Sequence, residues 1–249
     1  MLKPAFREQA VKAPKHWQQL ACGQWLKTQT EQELAPHCER LYGYHFARVG
    51  CLTAELELPK FAVAHQFSVA EQLHEQVQVQ AKSTDWPFAE DALDSILMVG
   101  QLEFESDPHQ VLRDVSRSLI ADGKLIYVGF NPFSPNLLTG LWPGNMKRYP
   151  WSGRYFSKAR LLDWLSLLNF EVTVQQYFAP SLLQQRWGIL QAGMERIYKF
   201  IPQSGALYLV VAKKREFPLT LVSERHKHRQ VRPNLQTAPL ANQTQPKEY

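Results

Sequence analysis

The hydrophobic pattern is clearest between Asp85 and Pro132. The runs Leu93 to Val99 and Leu125 to Phe130 are short, rich in Ile, Leu and Val, and apolar on both faces. Strands buried between two helical layers of a parallel sheet have this pattern. Between them Val111, Leu112, Val115 and Leu119 keep helical spacing, with Asp107 as N-cap and Pro108 at the first helical position. Asp122 and Gly123 are expected to end that helix. The stretch therefore reads as strand, helix, strand, a right-handed βαβ unit.

The same periodicities extend along the chain. Trp17, Leu20, Ala21 and Trp25 predict a helix from His16, and Gln32 to Leu41 a second whose ordered part starts at Pro36. Both are expected to cap one edge of the sheet. Tyr44 to Val49, His65 to Ala70 and the alternating Val77 and Val79 read as the first three strands. After Gly50 a helix has room for a turn or two before Pro59. Ser157 caps a helix carrying Leu161, Leu162, Trp164, Leu165 and Leu168, and Asn169 suits its left-handed end. Glu171 to Tyr177 is a sixth strand, Ser181 to Phe200 a helix, and Ala206 to Ala212 a last strand. The class is α/β, in one domain over residues 16–215 that includes N-terminal helices at 16–42. Residues 1–15 read as a mobile arm, 131–156 as an aromatic, lid-like insertion, and 216–249 as a disordered basic tail.

Composition narrows the class. The 249 residues are 45% hydrophobic and 12% aromatic, as in a globular protein, and no apolar run approaches the roughly 18 residues that span a bilayer. The start lacks the apolar core of a signal peptide, so the expected compartment is the cytoplasm and no membrane partner is expected. Three cysteines, Cys22, Cys38 and Cys51, have no metal-like spacing and read as reduced thiols. Much of the net charge of +5 comes from basic residues after Ala212, which makes a nucleic-acid contact through the tail conceivable on charge grounds.

Ligands of open α/β sheets bind at the carboxyl ends of strands. The candidate positions are thus Gly50, Glu71, Lys82 to Trp86, Gly100 to Glu103 and Gly129 to Pro132. A nicotinamide enzyme is a poor reading, because no G-x-G-x-x-G follows a strand.

Trp86-Pro87-Phe88, Asp94, Leu102-Glu103-Phe104, Asp107-Pro108, Arg117, Leu119 and Gly123 come in an order that resembles the class I S-adenosylmethionine-dependent methyltransferases of type 11. The GFNP after the fifth strand and PWSGRYFSKARLLDWLSLLNFEV extend the likeness to a proteobacterial branch, over roughly residues 40 to 215. The resemblance implies a Rossmann-like methyltransferase fold: a seven-stranded, mostly parallel sheet with helices on both faces and an antiparallel last strand. It also implies S-adenosylmethionine as cofactor and a methyl acceptor, of small-molecule or macromolecular kind, that the residues do not name.

The family usually follows its first strand with an acidic residue and three glycines. Here the run is RVGCLTA: Gly50 remains, Arg48 stands at the acidic position, and Leu52 and Ala54 replace the later glycines. By the resemblance Glu71 takes the ribose hydroxyls, or is a solvated loop glutamate. Asp85 serves the adenine side or forms an Asx turn, and Trp86 packs on adenine or in the core. Gly100 and Gln101 follow the fourth strand next to the transferable methyl, where Gln101 hydrogen-bonds substrate or is a polar plug at the strand end. Asn131, Tyr149, Trp151 and Arg154 mark the acceptor side, or their loop simply packs over the sheet edge. Methyl transfer from a sulfonium needs chiefly alignment and exclusion of water. If an acceptor must lose a proton, Glu103, His109 and Tyr149 are the candidate bases. The competing function is a methyltransferase fold with altered cofactor use that acts as a binding module, for example for RNA.

Overall fold

In the computed structural model the two apolar runs are the central strands. The structure describes residues 6, 11–72, 75–83, 85–135, 148–180, 196, 198, 199 and 201–216. Seven strands form one sheet: β1 (Tyr42–Val49), β2 (Ala62–Ala70), β3 (Val79–Gln80), β4 (Leu93–Val99), β5 (Leu119–Phe130), β6 (Phe170–Phe178) and β7 (Leu207–Lys214). Their order is β3-β2-β1-β4-β5-β7-β6. β7 runs antiparallel to both its neighbours, and the other pairs are parallel.

Alternation along the strands gives the sheet two buried faces. On one, Ile96, Met98, Leu125, Tyr127 and Val210 pack under α3 (Pro108–Ser118) and α4 (Lys158–Leu167) through Val111, Leu112, Val115, Leu161 and Leu165. On the other, Leu97, Ile126, Val128, Leu209 and Val211 pack under α1 (Gly23–Cys38) through Leu26, Leu34 and Cys38. The short α2 (Cys51–Ala54) follows β1. Helices therefore cover both faces, as expected.

Three expectations change. The N-terminal helices cover a face of the sheet rather than its edge, because α1 carries apolar residues that meet the middle strands. They are also not two helices. Trp17–Gln19 is a single 3-10 turn, the chain reverses at Cys22 (φ +54°), and α1 then runs unbroken past Gln32. Gly23 permits this, since a Cβ there would lie 1.6 Å from the Trp17 carbonyl oxygen. Pro36 sits in the last turn of α1 rather than at a start.

Third, α3 stops at Ser118 and does not reach Asp122. The carbonyls of Arg117 and Ser118, orphans at a helix end, accept from the amides of Asp91 and Ala92 at 3.0 Å each. Leu119 is thereby drawn into register with Leu93, and pairing resumes at Ser95 and Lys124 beyond a bulge in which Asp122 has φ +64°. The Asp107 cap holds: its Oδ1 accepts from the amides of His109 (3.0 Å) and Gln110 (3.1 Å). Ser157 caps α4, and Asn169 beyond its end has φ +59°.

Residues that carry the family resemblance have structural tasks. Asp94 Oδ2 accepts from the amides of Tyr44 (2.9 Å) and His45 (2.8 Å), tying β4 to the start of β1. Arg117 donates to the carbonyls of Phe88 (2.8 Å) and Trp86 (3.3 Å), fixing the Trp-Pro-Phe turn. Among the described residues no helix is long and apolar enough to cross a membrane. The expected helix from Ser181 lies outside the described residues, apart from Arg196, Tyr198 and Lys199, which are helical. The chain divides into Met1–Glu216 and Phe217–Tyr249, and the latter, with the expected basic tail, lies outside them as well.

Candidate functional site

β1 and β4 end together. The Gly50 amide donates to the Val69 carbonyl and the Gly100 amide to that of Val128, each at 2.8 Å. Buried Thr53 ties the two ends: its hydroxyl donates to the Val49 carbonyl (2.7 Å) and accepts from the Val99 amide (3.0 Å). Past these ends a cavity of about 480 Å³ opens, within the range of roughly 300–1,000 Å³ usual for small-ligand sites. Gly50 and Cys51 line it after β1, Ala70, Glu71 and Gln72 after β2, Gln101, Phe104 and Glu105 after β4, and Val11 to Ala13 form a further wall.

That last wall comes from the stretch expected as an arm. The Val11 amide donates to the Phe104 carbonyl at 3.1 Å, and the Tyr149 hydroxyl to the Lys12 carbonyl at 2.8 Å. Behind it Trp17 donates through Nε1 to the Leu52 carbonyl at 2.8 Å.

Of the six cofactor-side candidates, Gly50, Glu71 and Gln101 meet in the cavity. Gly50 has φ +97°, and a Cβ there would lie 2.3 Å from Gln101 Oε1. The Gln101 amide group donates to Ser83 Oγ at 2.8 Å and also to Glu105. Gly100, Asp85 and Trp86 stand apart from the cavity walls. Gly100 (φ +59°) turns the chain over the Phe130 ring. Asp85 is exposed, its amide bonded to the Lys82 carbonyl at 3.1 Å in a turn. Trp86, 4% exposed, packs in the core beside Phe67 and Phe88, so the core alternative holds.

Of the four acceptor-side candidates, Asn131 has a structural task. Fully buried, it donates to the carbonyls of Gln203 and Gly205 at 2.8 Å each and joins the end of β5 to the entry of β7. Tyr149 stands one layer behind the cavity, its ring centroid 5.7 Å from that of Phe104. Trp151 packs against the α1-side core, and the Arg154 amide donates to the Glu103 carbonyl at 2.7 Å.

Neither Glu103 nor His109 reaches the cavity. Glu103 is 1% exposed and accepts from the Tyr127 hydroxyl (2.8 Å) and the Phe130 amide (2.9 Å). Burial pushes its carboxyl up to about 7, against the pull of those hydrogen bonds. His109 rests on Trp164 with ring centroids 4.3 Å apart.

Sequence reasoning missed Glu105, Cys51 and the Val11 to Ala13 wall. Glu105 could have been found in the alternating polar residues of QLEFES after β4. Its carboxyl is raised by burial, lowered by hydrogen bonds with Ser83 and Gln101, and raised by the charge of Glu71. The lost glycines also look different in three dimensions. α2 begins at Cys51, so Leu52 and Ala54 turn their side chains into the interior, 3% and 6% exposed. Arg48 faces elsewhere as well, donating to the Leu56 carbonyl and Gln66 Oε1 at 3.1 Å each. A floor without a Cβ at Gly50, flanked by two carboxylates and two amides, fits a ligand that carries hydroxyls and a cationic group.

Residues 34–127 match the family model described as "Methyltransferase domain". The chain is 40% identical over 220 residues to the uncharacterized protein YafS of Escherichia coli (strain K12), covering 88% of this chain and 89% of that protein. A SAM-dependent methyltransferase, possible histamine N-methyltransferase, from Thermotoga maritima superposes with a TM-score of 0.55 at 19% identity, over 77% of this chain and 90% of that one. Geranyl diphosphate C-methyltransferase from Streptomyces coelicolor A3(2), solved in complex with S-adenosyl-L-homocysteine, gives a TM-score of 0.51 at 12% identity, over 78% and 80%. With the strand order and the sequence signature, these likenesses place the chain in the class I S-adenosylmethionine-dependent methyltransferase family.

Proposed function

We propose that the protein transfers a methyl group from S-adenosylmethionine, held in the 480 Å³ cavity, to an acceptor brought against the ring of Phe104, which Tyr149 backs. One observation carries this function. The cavity lies at the carboxyl ends of β1, β2 and β4, with Gly50 as floor and Glu71 and Gln101 as walls, despite the departures of RVGCLTA. Bound there, S-adenosylmethionine supplies a methyl group already activated on a sulfonium.

The residues have the tasks of binding and orientation. The carboxylate of Glu71 accepts from paired hydroxyls. Gln101 lies against Gly50 and fixes one oxygen of Glu105. Phe104 and the Val11 to Ala13 wall shield one side of the cavity, and the Phe104 ring suits an apolar or aromatic acceptor.

Calorimetric titration of the full chain with S-adenosylhomocysteine tests this function. Saturable one-to-one binding, weakened by Glu71→Gln, is expected, and no heat even at millimolar ligand would overturn it. Arg48 at the family's acidic position favours a second function, a methyltransferase fold with altered cofactor use. That same null titration is the result it expects.

A further inference from the structure

We propose that Glu105 is the carboxylate that holds the cationic amino group of the bound methyl donor, in place of the acid missing at position 48. This assignment rests on the cofactor function above and goes beyond it by naming the residue for one end of the ligand.

The strand order gives the direction. The family resemblance assigns the ribose to Glu71, which lines the cavity at the end of β2, and the adenine to the β3 side of the order β3-β2-β1-β4. The remaining, amino-acid end of the ligand then extends across Gly50 toward the end of β4. There Glu105 lines the cavity, whereas Arg48 has turned away to the Leu56 carbonyl and Gln66.

Gln101 prepares the carboxylate. Its side chain lies against Gly50, and its amide group donates both to Ser83 Oγ and to one oxygen of Glu105. Ser83 hydrogen-bonds the same carboxylate, and the acceptor positions that remain on it are the ones assigned to the ligand. An ammonium beside Glu105 would also offset the burial that disfavours its charged form.

The test compares two ligands by calorimetry on the full chain. S-adenosylhomocysteine carries the amino-acid end, and methylthioadenosine shares the adenine, ribose and thioether without it. Glu105→Gln is expected to weaken S-adenosylhomocysteine roughly 10- to 100-fold, the size of a hydrogen bond to a charged group, and to leave methylthioadenosine unchanged. Glu71→Gln is expected to weaken both. Glu105→Asp, which keeps the charge at shorter reach, is expected to give a smaller loss on S-adenosylhomocysteine alone. Thermal melts establish that each variant is folded, and either Glu105 variant suffices. Equal losses on both ligands, or none on either, overturn the assignment while the cofactor function stands. A wild-type chain that binds neither compound overturns that function and the assignment with it.

Discussion

Gly50 meets two constraints at once: its φ of +97°, and the Gln101 amide oxygen 2.3 Å from where a Cβ would stand. Gly50→Ala should therefore cost about 1–3 kcal/mol of backbone strain and displace Gln101. Lower thermal stability together with weaker S-adenosylhomocysteine binding is the expected result, and a melting temperature equal to wild type would contradict it.

Glu103 makes a pH-dependent prediction. Its folded-state carboxyl is raised from 4.5 to about 7, so between those values the native chain keeps a proton that the unfolded chain has lost. Stability on this account is full below about pH 4.5 and falls as pH rises toward 7, by a total on the order of 3 kcal/mol. Glu103→Gln removes the titration. In melts from pH 5 to pH 8, wild type should lose stability relative to the variant, and a constant difference would count against the buried-carboxyl account.

Among the elements, β4, α3 and β5 were the most legible. Their apolar spacing, the Asp107 cap and Pro108 are local signals. Asp107→Ala removes the acceptor for two helix amides and should cost about 1 kcal/mol in urea unfolding. The end of α3 was less legible, because the partners of its last carbonyls are the amides of Asp91 and Ala92, which precede those carbonyls by more than twenty residues. The break at Cys22 and Gly23 was hidden for a related reason: it depends on the close approach of Gly23 to the Trp17 carbonyl, whereas the apolar spacing from Trp17 to Trp25 reads as continuous helix.

For the whole molecule, a ligand bound by the native chain alone must raise its stability. S-adenosylhomocysteine at a hundred times its dissociation constant should contribute about 2.7 kcal/mol, a rise of several degrees in melting temperature. An unchanged melt at that concentration would oppose a preformed site.

The sequence by itself determined the α/β class, the βαβ centre and the family, because each rests on local periodicity, caps or an ordered motif. It also picked out Gly50, Glu71 and Gln101, which lie within two residues of strand ends, and strand ends define where such sheets bind. Only the tertiary structure decided the rest. Trp86 and Asn131 went to the interior because packing and distant carbonyls claimed them. Leu52 and Ala54 ceased to obstruct the site once α2 turned them inward. The Val11 wall comes from a segment far from Gly50 in the chain, and no local pattern records that such a distant segment will share its cavity.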